Sequence, residues 1–235
     1  MIFPETNSLS RPHVFRDILM VGSPILLLAA SGTLLGLETL AGGAVVNLGY
    51  ALAIISGGFL LKFQGSSWRM IGLSKPENWW NTALKGMGAW IGAVIIFVLM
   101  QVLIITLLTM LELPSQAIDE SRFNPLAGNL PMLLFMVALA WTTIAFGEEL
   151  FYRAFLISRL VDQAAMSRKA AITLSALAFG AAHFAEGPMG IISNGAFGVF
   201  FGWIYLKSKR NLWITVIGHG LLNTFRFILL YTGAA

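Results

Sequence analysis

Long apolar runs separated by short polar segments make up most of the chain. About 20 apolar residues are needed to cross the hydrocarbon of a bilayer. Seven runs read as such spans: Ile18–Leu37, Gly43–Leu61, Leu84–Leu111, Pro131–Leu160, Ala170–Phe184, Met189–Leu206 and Leu212–Tyr231, the fifth short and the fourth long. The polar positions between them alternate in sign. Arg11 and Arg16 precede the first run, Lys62, Arg69 and Lys75 follow the second, Arg153, Arg159, Arg168 and Lys169 lie around the fourth-to-fifth junction, and Lys207, Lys209 and Arg210 follow the sixth. The other junctions hold Glu38, then Glu112, Asp119, Glu120 and Arg122, then Glu186. Basic residues mark cytoplasmic loops. The pattern therefore predicts an all-α polytopic transmembrane helical bundle of about seven spans with a cytoplasmic N-terminus. Residues 1–17 form a cytoplasmic N-terminal segment and 18–235 a single membrane domain. The first run continues past Ala29-Ala30-Ser31 to Leu37, too long for the apolar core of a signal peptide, and reads as an uncleaved span.

Composition narrows the class. The chain has 235 residues, 57% hydrophobic and 11% charged, against about 25% charged in soluble domains. Too few polar groups exist to cover a water-facing surface, so a multi-pass protein of the cell membrane is expected. The net charge of +4 is distributed over loops and no basic patch is interleaved with aromatics, which argues against a nucleic-acid partner. With no cysteine, disulfides, thiolate metal sites and a cysteine nucleophile are excluded. The stretch from Ser67 through Pro76 to Trp79-Trp80 sets tryptophan beside basic residues and reads as a cytoplasmic interfacial anchor.

Against this background, ionisable residues inside apolar runs mark a functional site. Glu148 and Glu149 lie in the fourth run. Residues four apart share a helix face, so Glu149 can pair with Arg153, while Glu148, rotated by about 100°, stacks with Tyr152 and keeps a carboxylate free. His183 ends the fifth run, with Phe179 one turn before it. His219, Asn223 and Arg226 share one stripe of the last run, which must face inward. Counted from the nearest cytoplasmic charges, Glu148, His183 and His219 fall within a couple of helical turns of one depth. Two chemistries fit this set, both hydrolysing a carbonyl. His183, His219 and Glu148 resemble a two-histidine, one-carboxylate zinc site. Without metal, Glu148 and His183 would activate water while His219 and Asn223 donate to an oxyanion. No phosphate loop and no serine elbow is present. At the far end of the last run, Arg226 is expected to pair with Glu186, clamping the fifth and seventh spans and holding His183 beside His219.

In order, Glu148-Glu149-x-x-x-Arg153, Phe179-x-x-x-His183 and His219-x-x-x-Asn223 resemble the three signature motifs of the CPBP intramembrane proteases. That group contains the CAAX prenyl endopeptidases and the bacterial Abi proteins linked to bacteriocin processing and immunity. The resemblance covers 131–231 and implies a membrane peptidase with Glu148 as the water-activating carboxylate, His183, His219 and Asn223 completing the centre, and Glu149 and Arg153 supporting it. It leaves zinc and metal-free mechanisms both open. The implied partner is a peptide or protein substrate, prenylated or membrane-anchored, within the lipid bilayer. Ala154 stands where glycine is usual. The alternative is a non-catalytic membrane immunity or scaffold protein that keeps the same fold.

Overall fold

In a computed structural model describing residues 11–34, 40–112 and 121–233, each apolar run is a helix and no strand occurs among these residues. The helices are α1 (Arg11–Leu34), α2 (Leu40–Phe63), α3 (Trp79–Met110), α4 (Leu130–Gln163), α5 (Arg168–Ala182), α6 (Gly187–Lys207) and α7 (Leu212–Thr232). Short 3-10 segments, Ser121–Leu126 and Phe184–Glu186, precede α4 and α6. The acidic loop residues Glu38, Asp119 and Glu120 lie outside the described residues. Six of the helices are long and apolar enough to cross a membrane. The exception is α5. Its 15 residues rise only about 22 Å, so it ends inside the bundle, and His183 is its cap.

Helix starts follow their caps. The α3 helix begins at Trp79 because the Asn78 side chain accepts from the Asn81 amide at 2.9 Å. Trp79 and Trp80 are thus its first turn rather than part of the preceding loop. That loop is also more than an anchor. Trp68 packs on Phe155 at 6.2 Å between ring centres, Tyr205 donates to the Ile71 carbonyl at 2.7 Å, and the Leu212 amide donates to Gly72 O at 3.2 Å. Gly72 has φ +118°, a conformation that glycine alone adopts readily. The segment is docked onto α2, α4 and the α6–α7 turn.

The core is built around α4. Every residue from Glu149 to Ile157 is buried. Three stretches, Ala140–Ile144, Glu149–Ile157 and Arg159–Gln163, have widened i→i+5 turns. Such turns are usually single and are frequent at functional sites. The most extensive helix–helix packing joins α5 with α6, α1 with α2, and α3 with α7.

A polar network, buried at Asp17 and Arg159 and open to solvent at Asp162, gathers one end of the bundle. Asp17, 1% exposed, accepts from Gln64 at 2.7 Å and faces Arg159 at 3.8 Å. Arg210 grips Asp162 with two bonds of 2.5 and 2.6 Å. The charge pattern passed over Asp17 and Asp162, yet they join α1, α2, α4 and the α6–α7 turn at the end where the basic loops lie.

Candidate active site

Glu148 and Glu149 sit side by side on α4, 7% and 0% exposed. The expected Glu149–Arg153 pair forms, with Arg153 Nη1 3.2 Å from Glu149 Oε1. A second partner was not expected: His219 Nδ1 lies 3.0 Å from the same oxygen. An ionised carboxylate can only accept, so Nδ1 carries the proton. The opposite nitrogen, Nε2, faces Glu148 Oε2 at 3.8 Å. Glu149 therefore orients His219 as well as neutralising Arg153. This is how a carboxylate behind an imidazole fixes its tautomer and ring orientation.

Aromatic rings complete the enclosure. The Arg153 guanidinium, wholly buried, lies 4.5 Å from the Phe179 ring centre and 5.7 Å from that of Phe201, positions in which a cation is attracted to the ring face. Phe201 stacks on His219 at 5.8 Å, and Phe179 approaches His219 nearly edge-on at 6.2 Å.

The end of α5 sets His183. The last carbonyls of a helix lack intrahelical donors. The His183 amide bonds to Gly180 O at 2.9 Å, and its ring Nδ1 lies 2.8 Å from Phe179 O. A carbonyl can only accept, so Nδ1 again carries the proton and Nε2 is left available. Both imidazoles lie close enough to Glu148 to interact with it electrostatically.

On α7, Asn223 follows His219 by one turn. Its Nδ2 is buried and makes no hydrogen bond among the described residues. Glu148, His183, His219 and Asn223 all line one cavity of about 570 Å³. Gly220 permits this geometry by its lack of a side chain, since a methyl there would come within 2.8 Å of the Trp141 ring. Arg226 faces Glu186 at 3.8 Å, as its position suggested.

Several cavity residues were not singled out from the sequence. Tyr50 lines the cavity from α2, its hydroxyl 3.3 Å from that of Tyr152. Ser193, 1% exposed, also lines it, and its hydroxyl makes no hydrogen bond among the described residues. Asn47 and Asn194 add amides. The available signal was the presence of these polar groups inside the second and sixth apolar runs, where a polar residue normally faces the bundle interior.

The donor set of His183, His219 and Glu148 suits zinc by its chemistry. However, among the described residues no three His, Asp or Glu side chains are gathered so that they could hold a metal ion.

A family model described as Type II CAAX prenyl endopeptidase Rce1-like matches residues 130–225. That segment spans the helices carrying all three motifs, and its similarity to Rce1-like domains supports a CPBP family intramembrane protease. At the level of the family the match supports a CAAX-protease-like intramembrane endopeptidase, and six long apolar helices make the chain a multi-pass membrane protein. No curated protein and no solved structure matches the chain.

Proposed function

We propose that this chain is a peptidase of the cell membrane, N-terminus in the cytoplasm and catalytic core at 131–231, that hydrolyses a peptide bond inside the bilayer. Glu148 takes a proton from water, whose oxygen adds to the scissile carbonyl carbon. His183 helps to orient that water, accepting a hydrogen bond at Nε2 because its Nδ1 proton is committed to Phe179 O. The developing oxyanion is received by Asn223 Nδ2 and His219. With Nδ1–H held by Glu149, His219 can donate through Nε2 only as the imidazolium. The charges of Glu148, Glu149, Arg153 and that imidazolium then sum to zero, which suits a site of low dielectric. The proton on Glu148 passes to the leaving amine as the carbon–nitrogen bond breaks.

The observation that carries this reading is the convergence of Glu148, both imidazoles and an uncommitted Asn223 amide on one cavity. The alternative, a non-catalytic scaffold, has no need for an unspent donor in the cavity that holds Glu148, because an unpaired buried amide costs stability. The test is cleavage of a panel of farnesylated and geranylgeranylated CAAX peptides by the purified full chain in nanodiscs, with the released C-terminal fragment identified by mass spectrometry. Release by the wild type and not by Glu148→Gln is expected. Release that persists in Glu148→Gln would remove the carboxylate from the reaction.

A further inference from the structure

A second polar cluster, which the proposed chemistry does not use, holds the turn that follows His183. The Glu186 amide donates to His183 O at 2.9 Å. The carboxylate of Glu186 is divided between two other helices. Its Oε2 accepts from Asn194 Nδ2 of α6 at 3.0 Å, and its Oε1 faces Arg226 Nη1 of α7 at 3.8 Å. The same Asn194 nitrogen also donates to Gly190 O at 2.9 Å, which commits both of its protons and fixes the amide. Gly190 has to be glycine here, since a methyl group would collide with the Glu186 side chain. Arg226 lies over the Phe123 ring at 5.1 Å. Gly187, with φ +72°, then turns the chain into α6.

Arg226 follows Asn223 by three residues and His219 by seven, so all three share one face of α7. Glu186 thus ties the turn carrying His183 to the helix face carrying the other two site residues. His183 needs such a tie. It sits at the end of the shortest helix, with φ −96° and ψ 24°, where helix ends fray. His219, by contrast, is held mid-helix. We propose that Glu186 is a positioning residue: by bridging Asn194 and Arg226 it sets the His183 imidazole relative to His219 and Asn223. This rests on the peptidase reading above.

The test compares Glu186→Ala, the single changes Glu186→Arg and Arg226→Glu, and the reversed pair Glu186→Arg/Arg226→Glu in the full chain in nanodiscs, on a farnesylated CAAX peptide. The ring-nitrogen NMR signals of His183, assigned by their loss in His183→Gln, are recorded alongside. Displacing a reacting group by about 1 Å can lower a rate 100-fold, so Glu186→Ala should reduce kcat by about 10- to 100-fold. KM should stay within about twofold, because the lost contact does not bind substrate. The His183 Nδ1 signal should shift as its hydrogen bond to Phe179 O loosens, and the reversed pair should recover more kcat than either of its component single changes. Unchanged kcat with an unmoved His183 signal would overturn the proposal, as would a reversed pair no better than the worse component. If Glu186→Ala does not fold, Glu186→Gln keeps the shape and the Asn194 contact, and a smaller fall in kcat with the same signal shift is expected. If the wild type cleaves no peptide, the peptidase reading fails, and the His183 signal alone decides the positioning role.

Discussion

The helices α3 and α4 have 32 and 34 residues, and both are apolar enough to cross a membrane, but they are built in opposite ways. The α3 helix is regular throughout and buries a narrow stripe, Thr82, Gly86, Ala89, Ala93 and Ile104. Small residues on such a stripe let helices approach closely in a membrane, and the large side chains of α3, such as Leu84, Ile91, Ile95 and Leu99, point outward. The α4 helix buries every residue from Gly147 to Leu160, among them Glu149, Tyr152 and Arg153, and its turns are widened over Glu149–Ile157 within that stretch. Hydrophobic content alone does not separate the two. The difference lies in where polar groups fall. Lipid cannot satisfy a charged group, so a span carrying charges at mid-depth must enclose them, and a span whose one charge, Lys85, lies in its second turn near the interface can serve as wall.

Substitutions in α4 should produce the largest effects. Glu148→Gln preserves shape and removes the base of the proposed reaction. A positioned general base contributes about 10²- to 10⁴-fold, so peptidase activity should fall by that range while the unfolding temperature is unchanged. Activity within a few-fold of wild type on a peptide that the wild type cleaves would reassign the base.

Glu149→Gln should do the opposite: damage stability first. It leaves the wholly buried Arg153 without its anion, and stranding one member of a buried pair costs about 3–5 kcal/mol. It also replaces the charged acceptor that orients His219 with a weaker neutral amide oxygen, so any folded fraction should be slow as well. The measurement is thermal unfolding in one detergent, set against activity per folded molecule. A stable, fully active Glu149→Gln protein would mean that neither Arg153 nor His219 depends on this carboxylate.

The sequence foreshadowed this contrast unevenly. Seven helices were legible because each apolar run is bounded by charges. The Glu149–Arg153 and Glu186–Arg226 pairs were legible because each joins opposite charges, four apart on one helix or at matching depth on two. The Glu149–His219 bond was not, because spacing within one helix carries no information about which face of a distant helix it meets. The same holds for Tyr50, which reaches the cavity from α2, outside the Rce1-like segment. The widened turns of α4 left no trace in hydrophobic periodicity, since all faces of that stretch are buried. The short α5 was visible as a short run, but its role of ending at His183 inside the bundle depends on packing against α6.

Within α3 the contrast narrows to two glycines. At Gly86 a methyl would lie 2.5 Å from Ile217 Cγ2 and 2.7 Å from Ile217 Cβ. Ile217 is branched at that carbon and cannot swing its bulk away, so α3 and α7 must separate. Gly86→Ala should cost about 1–3 kcal/mol, the usual range for overpacking. It should also lower activity secondarily, because α7 carries His219. A neutral result would mean that the α3–α7 contact is looser than its geometry.

Gly88, two residues on, should respond with the opposite sign. It is exposed, and a methyl there meets no atom within 4 Å. Alanine reduces the backbone freedom lost on forming a helix, and the replacement is worth up to about 1 kcal/mol. Gly88→Ala should therefore raise the unfolding temperature slightly and leave activity alone. The effect is the smallest of the four, but it tests the claim that the outer face of α3 is wall and nothing else. A fall in stability would require that something packs closely on that face in the membrane, and α3 would then be an interface with a partner rather than the lipid-facing side of the bundle.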